Sequence, residues 1–371
     1  MAYLDWNATA PLRPSARDAW LAAQEQAWAN PSSIHQAGQQ ARLMLDEAKR
    51  TIARLLGAKP HELVLTSGGT EANALALAQA PGAQAGARIA ASSIEHSSIL
   101  RNAPGAQLLP VDGHGVPLLD TLSPDTALVA FQAANNETGT TPDIATVVAT
   151  IRARAPQALI LLDACQAAGK LPLDLRALGV DFASLAGHKF GAPKGCGALY
   201  VRNGVRLTPL LRGGRQQMDR RSGTEDPALP SALAAALEEA LAHLAEESVR
   251  QRALLDETFS TIQAALPAAQ WIARTAPRLA NTLSLGHPGV DNELLVQRLD
   301  LRGHAVSVGA ACMAGKGEPS HVIAALGIPR DLARGVIRVS IGHRTTAGEL
   351  AEFAQAYIAE VGALLANDTR V

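Results

Sequence analysis

Short apolar runs with almost no polar alternation recur through the first half of the chain, at 63–65, 88–91, 127–131, 158–162, 182–185 and 198–201. Runs of this length and character suit strands buried on both faces of a mostly parallel sheet. Between and ahead of them the period changes to that of a helix. The spacing predicts helices over 15–28 and 37–56, the second with Leu43, Leu45, Ala48, Ile52, Leu55 and Leu56 on one face, and Pro31-Ser32-Ser33 separates the two. An Ala/Leu-rich stretch over 230–266 predicts one long helix. A smaller unit follows, with strands over 282–285 and 336–341 and a closing helix over 347–365. The pattern predicts an α/β protein: a large domain over 15–235, with a mostly parallel sheet flanked by helices, and a small α+β domain made of 1–14 and 236–371.

Composition narrows the function classes. The 371 residues are 47% hydrophobic and 18% charged, enough for at least one large core, and the formal net charge is −1. That balance supplies neither a basic face for nucleic acid nor a polybasic membrane anchor, so the expected substrate is small. The start, Met-Ala-Tyr-Leu-Asp-Trp-Asn, has no positive or apolar leader character, and no charge-free apolar stretch is long enough to span a bilayer. A cytoplasmic location is the expectation. Three cysteines, Cys165, Cys196 and Cys312, are too few and too scattered for a disulfide framework or a spaced zinc site.

Three segments carry candidate chemistry. Thr66-Ser67-Gly68-Gly69-Thr70-Glu71 lies between a predicted strand and a predicted helix, where free N–H groups and the helix dipole favour an anion such as phosphate. A plain strand-to-helix turn would look the same. Leu162-Asp163-Ala164-Cys165-Gln166 puts a carboxylate at the C-terminal end of an apolar strand, the place where open α/β sheets build sites and where a pyridinium nitrogen could be held. Asp163 could equally be a turn or cap residue. Ser184-Leu185-Ala186-Gly187-His188-Lys189 places a lysine just past another strand, able to form a Schiff base if its surroundings lower its pKa, although most lysines are solvated charges.

Taken in order, with Glu95-His96 between the first two segments and Arg221-Ser222-Gly223-Thr224 after the third, the sequence resembles fold-type I pyridoxal-phosphate enzymes of the class V aminotransferase group. Within that group it is similar to cysteine desulfurases of the iron–sulfur-assembly type. The likeness runs nearly end to end, from Tyr3-Leu4-Asp5 and Asn30-Pro31-Ser32-Ser33 through Asn135-Asn136-Glu137-Thr138-Gly139 and Gly191-Ala192-Pro193-Lys194-Gly195 to the C-terminal helix. The resemblance implies pyridoxal 5'-phosphate held by Lys189, Asp163 at the pyridinium nitrogen and His96 stacked on the ring. It further implies Gln166 facing the ring oxygen, and a phosphate cradle of Gly69, Thr70, His188 and the residue at Ala186. Thr224 resembles a phosphate contact given to the partner subunit, which implies a homodimer. Asn136 lies beside the cofactor in this scheme and, with Arg338, resembles the grip on the substrate carboxylate, for which a bidentate guanidinium is suited.

Gly309-Ala310-Ala311-Cys312-Met313-Ala314-Gly315-Lys316-Gly317 resembles the desulfurase loop whose cysteine thiolate takes sulfur from L-cysteine as a persulfide and releases alanine. The sulfur then passes to an acceptor, such as an iron–sulfur scaffold protein or a tRNA-thiolation partner. Taken singly, Cys312 could be a small packed hydrophobe, but its glycine-rich setting points to a mobile loop. Cys165 and Cys196, in apolar strand patterns, are expected to pack. Four positions depart from the family. Ala186 stands where a hydroxyl is usual, which removes one phosphate hydrogen bond of about 1 kcal/mol. His343 stands where relatives commonly have arginine, and Met313 and Lys316 differ within the loop. The competing readings are another class V enzyme, an aminotransferase or lyase in which Cys312 is a bystander, and a non-catalytic scaffold.

Overall fold

The computed structural model describes residues 1–80, 88–309 and 319–368. The chain opens with a two-residue strand, β1 (Ala2–Tyr3), and then forms β2 (Leu63–Thr66), β3 (Ile89–Ser92), β4 (Gln107–Leu109), β5 (Leu128–Gln132), β6 (Leu159–Asp163), β7 (Phe182–Ala186) and β8 (Gly197–Val201). These last seven make one sheet in the order β2-β8-β7-β6-β5-β3-β4, in which only β8 runs against its neighbours. The six apolar runs of the sequence are six of these strands. Their lack of alternation has a simple cause, since successive residues are buried on opposite faces. Val129, Phe131, Ile160 and Leu162 join a core with Ile52 of helix Gln36–Leu55, while Leu128, Ala130, Leu161 and Phe182 join another with Leu75 of helix Gly69–Leu77.

A second, smaller assembly contains β9 (Gln270–Trp271), β10 (Thr282–Gly286), β11 (His304–Ala305) and β12 (Ile337–Ser340). Antiparallel β12-β10-β9 forms one sheet, and β11 pairs in parallel with β1, which brings the N-terminus to this part of the molecule. Leu4, Leu283, Leu285, Ile337, Val339 and Phe353 of helix Ala347–Asp368 share its core.

The single helix expected over 230–266 is two, Ala228–Ala242 and Leu244–Ala265, with His243 between them at φ −103°, ψ 5°. The break has a packing reason. The first helix buries Leu233, Ala236 and Leu237 against the large sheet, and the second buries Leu255, Phe259 and Ile262 in the smaller core. One straight rod could not serve both.

Candidate active site

The C-terminal ends of β3, β5, β6 and β7 deliver Glu95-His96, Asn135-Asn136, Asp163 and Gly187-His188-Lys189 to one edge of the sheet. The turn after β2 adds the start of helix Gly69–Leu77.

Lys189 closes a 3-10 turn directly after β7, and its Nζ donates to the carbonyls of Asn7 (2.7 Å) and Ala8 (3.0 Å). Burial, reinforced by the Arg338 guanidinium, lowers its pKa. Asp163 is buried; Oδ1 accepts from Cys165 N–H (2.9 Å) and Ser184 Oγ–H (3.2 Å), and Oδ2 from Asn73 Nδ2–H (2.9 Å). Among the described residues it has no ion-pair partner. His96 caps helix Ser97–Leu100, its Nδ1 accepting from Ser98 N–H at 3.1 Å, which leaves the ring proton of the neutral form on Nε2. Partial burial lowers its pKa, opposed by Asp163 and aided by Lys189 and His321. Glu95, fully buried, accepts from Gln132 N–H at 2.9 Å, and burial with the Asp163 charge raises its pKa well above the usual range.

The residue that ties these elements together is one the sequence did not single out. Asn7 is fully buried. Its N–H donates to Ser340 Oγ (2.9 Å), and its Nδ2 to the Asn136 carbonyl (3.1 Å) and Thr282 Oγ1 (2.9 Å). Its Oδ1 accepts from Lys170 Nζ (3.0 Å) and Asn281 Nδ2 (3.0 Å), and its carbonyl from Gln166 Nε2 (2.9 Å) as well as Lys189. Every polar atom of Asn7 is used, linking the large sheet's site to β10 and β12. Gln166 therefore lies against Asn7 and Lys170, with its Oε1 accepting from Lys170 Nζ at 2.8 Å. The only local hint was Lys170 standing four residues after Gln166.

Arg338, on β12, reaches the same centre. Its Nη1 donates to the Asn136 carbonyl at 3.1 Å and its Nη2 to Asp5 at 2.6 Å, while the buried Nε has no partner among the described residues. At the expected phosphate end, Gly69 and Ala186 are buried and adjacent, and Thr70 is exposed at the helix start. A Cβ on Gly69 would strike Cys165 Sγ, so a larger residue there would have to displace that side chain. Cys165 thus borders the site, with Sγ 3.6 Å from Ser184 Oγ, where simple packing was expected, while Cys196 is buried as expected. His188 Nδ1 lies 3.2 Å from Thr9 Oγ1, and burial, with the cations of Lys189, Lys194 and Lys170, takes its pKa to about 4. Thr224 is exposed and lines a cavity of about 130 Å³ with Thr66, Ser67 and Gly197.

Cys312 lies outside the described residues, as do Met313 and Lys316. The residues described on either side of that stretch lie at this site. Gly309 N–H donates to Ser307 Oγ (3.2 Å), a Cβ on Gly309 would come within 2.6 Å of Glu137 Oε2, and His321 Nε2 lies 3.1 Å from the Glu95 carbonyl.

Residues 2–353 match the family described as aminotransferase class-V. A protein of Gluconacetobacter diazotrophicus named cysteine desulfurase is 39% identical over 358 residues, spanning 93% of this chain and 89% of the relative. A solved NifS-like protein is 31% identical with a TM-score of 0.90, over 98% of this chain and all of its own. A solved structure described as SspA in complex with cysteine is 28% identical with a TM-score of 0.80, over 92% of this chain and 99% of its own.

Proposed function

The chain belongs to the class-V aminotransferase family, and on that premise we propose how its residues divide the work of a cysteine desulfurase. The protein is a pyridoxal-phosphate-dependent enzyme of that kind, converting L-cysteine to L-alanine with transfer of the sulfur. One observation carries the assignment of residues. Lys189, with a lowered pKa, and Arg338, whose buried Nε is unpaired among the described residues, meet around Asn7 and the Asn136 carbonyl, and Asp163, buried and without an ion pair among those residues, stands at the same sheet edge.

The donor set fits the cofactor. A buried carboxylate whose described contacts are neutral donors suits a protonated ring nitrogen, and among the described residues Lys189 donates to two carbonyls and to no carboxylate. Bound there, pyridoxal phosphate supplies an electron sink for bonds breaking at the substrate α-carbon. Lys189 would hold it covalently and afterwards move the proton at that carbon, a task toward which burial shifts its pKa in the right direction. Asp163 would keep the ring nitrogen protonated, His96 would cover the ring face, and Gln166 would donate to the ring oxygen. The Gly69 and Thr70 end of helix Gly69–Leu77 and His188 would take the phosphate, with Ala186 giving no side-chain hydrogen bond. Asn136 and Arg338 grip the substrate carboxylate. Cys312 as thiolate attacks the substrate sulfur, so that Cys–SH plus cysteine gives Cys–S–SH plus alanine.

The same reading assigns Thr224 to the phosphate of the partner subunit's site, which makes the protein a homodimer, and an iron–sulfur scaffold or thiolation protein as sulfur acceptor. It divides the chain into domains over 15–235 and over 1–14 with 236–371, and places the enzyme in the cytoplasm. Among the described residues no helix is long and apolar enough to cross a membrane.

The test is to mix the cofactor-loaded protein with L-cysteine and a reductant, measuring alanine, sulfide and the mass of the Cys312 peptide. Equal alanine and sulfide, with one added sulfur atom on Cys312 and loss of turnover in Cys312→Ala, supports the reading. Keto-acid products, or full turnover in Cys312→Ala, would move the protein to another class V reaction.

A further inference from the structure

The site contains a second sequestered amine. Lys170 lies one turn beyond Gln166 and donates from Nζ to two side-chain amides, Gln166 Oε1 at 2.8 Å and Asn7 Oδ1 at 3.0 Å. Withdrawing an amine from water is costly, and burial, followed by the charges of Lys189 and Arg338, pushes its pKa well below the usual lysine value. Neither acceptor is a carboxylate, so no ion pair offsets that cost. What the contacts do accomplish is orientation. Toward these two partners an amine hydrogen donates and only an amide oxygen can accept, so each amide is fixed with its oxygen toward Lys170. For Gln166 this turns the NH2 group away, to the Asn7 carbonyl at 2.9 Å, the same oxygen that receives Lys189 Nζ at 2.7 Å. For Asn7 it turns the NH2 group to the Asn136 carbonyl and Thr282.

We propose that Lys170 is a positioning residue of the desulfurase site, locking the Gln166 amide so that it presents its nitrogen, never its oxygen, toward the side where Lys189 and the cofactor's ring oxygen lie. This rests on the assignment of Gln166 made above. A flipped Gln166 would set its oxygen against the ring oxygen and exchange a hydrogen bond for a repulsion.

A double-mutant cycle tests it through cofactor affinity, independently of turnover. Apoprotein is titrated with pyridoxal phosphate for the wild type, Lys170→Met, Gln166→Ala and the double variant, with far-ultraviolet circular dichroism checking folding and Lys170→Leu replacing Lys170→Met should the latter not fold. Lys170→Met is expected to weaken binding about tenfold when Gln166 is present, about the worth of one hydrogen bond, and to add almost nothing in Gln166→Ala. Lys170→Gln, which keeps a donor, is expected to recover most of the loss. Equal weakening in both backgrounds, or none in the first, overturns the proposal by making Lys170 merely structural. A wild-type apoprotein that takes up no cofactor overturns the reading of the site itself, and this inference with it.

Discussion

Arg338 donates Nη2–H to Asp5 Oδ1 at 2.6 Å, yet its buried Nε finds no acceptor among the described residues. An unpaired donor inside a protein costs about 1–3 kcal/mol, and a carboxylate ligand is the acceptor that would remove this cost. Arg338→Gln keeps a planar polar group but loses the charge and the fork. Its kcat/KM for L-cysteine should fall about a hundredfold, the value of roughly 3 kcal/mol of charged hydrogen bonding, with the visible spectrum of the bound cofactor unchanged. Steady-state kinetics decide it, and a kcat/KM close to wild type would remove Arg338 from the substrate grip.

Lys189→Ala should leave a folded protein without the visible absorbance of a lysine-bound cofactor. The fold loses little because the Asn7 carbonyl still accepts from Gln166 Nε2, so only the Ala8 carbonyl gives up a partner. The expected stability loss is about 1 kcal/mol, read from denaturant melts alongside the spectrum. An unchanged spectrum would show that another amine holds the cofactor.

The strands of the large sheet were legible because burial on both faces leaves an unbroken apolar signature. β4 was not, since Gln107 and Leu108 are exposed and the strand is three residues long. The long helix was misread because an Ala/Leu composition contains no breaker, and His243 bends only because two cores pull its flanks in different directions. In the site, Lys189, Asp163 and His96 stood out because they end strands within recognisable motifs. Asn7 and Lys170 did not. Their meaning lies in a contact between residues 163 positions apart, which no local pattern reveals.

The thiols provide a chemical check on the site's interior. Burial, then the Asp163 charge, raises the Cys165 thiol well above the usual range, and burial takes Cys196 up to about 12. Only thiolate reacts with alkylating reagents. In folded protein near neutral pH, iodoacetamide should therefore leave both unmodified until denaturant is added, as read by peptide mass spectrometry. Rapid labelling of Cys165 in the folded protein would mean that its thiol is activated, with a chemistry of its own beside Asp163.

Acid should weaken the fold in part through His343. Its pKa is taken to about 4, first by burial and then by the Arg13 and Arg344 cations, with Glu239 and Glu247 opposing. The ring also lies edge-on to Trp6, with centroids 5.2 Å apart. A base whose folded pKa is depressed binds fewer protons in the native state than in the unfolded one. Between the ordinary value of 6.5 and about 4, stability must then rise with pH and be lost as pH falls. His188, also at about 4, adds in the same sense. The buried carboxyls of Glu95 and Glu137, whose pKa values are raised, act in the opposite sense, so the whole curve is a balance. A difference between two proteins removes that balance. His343→Gln cannot be protonated, and its stability should fall less steeply than wild type over this window, by on the order of 1 kcal/mol after allowing for solvent screening at a partly exposed ring. Denaturant melts at a series of pH values measure it. Parallel curves for the two proteins would mean that His343 titrates as it does in the unfolded chain, and that the Arg13 and Arg344 charges are screened from it.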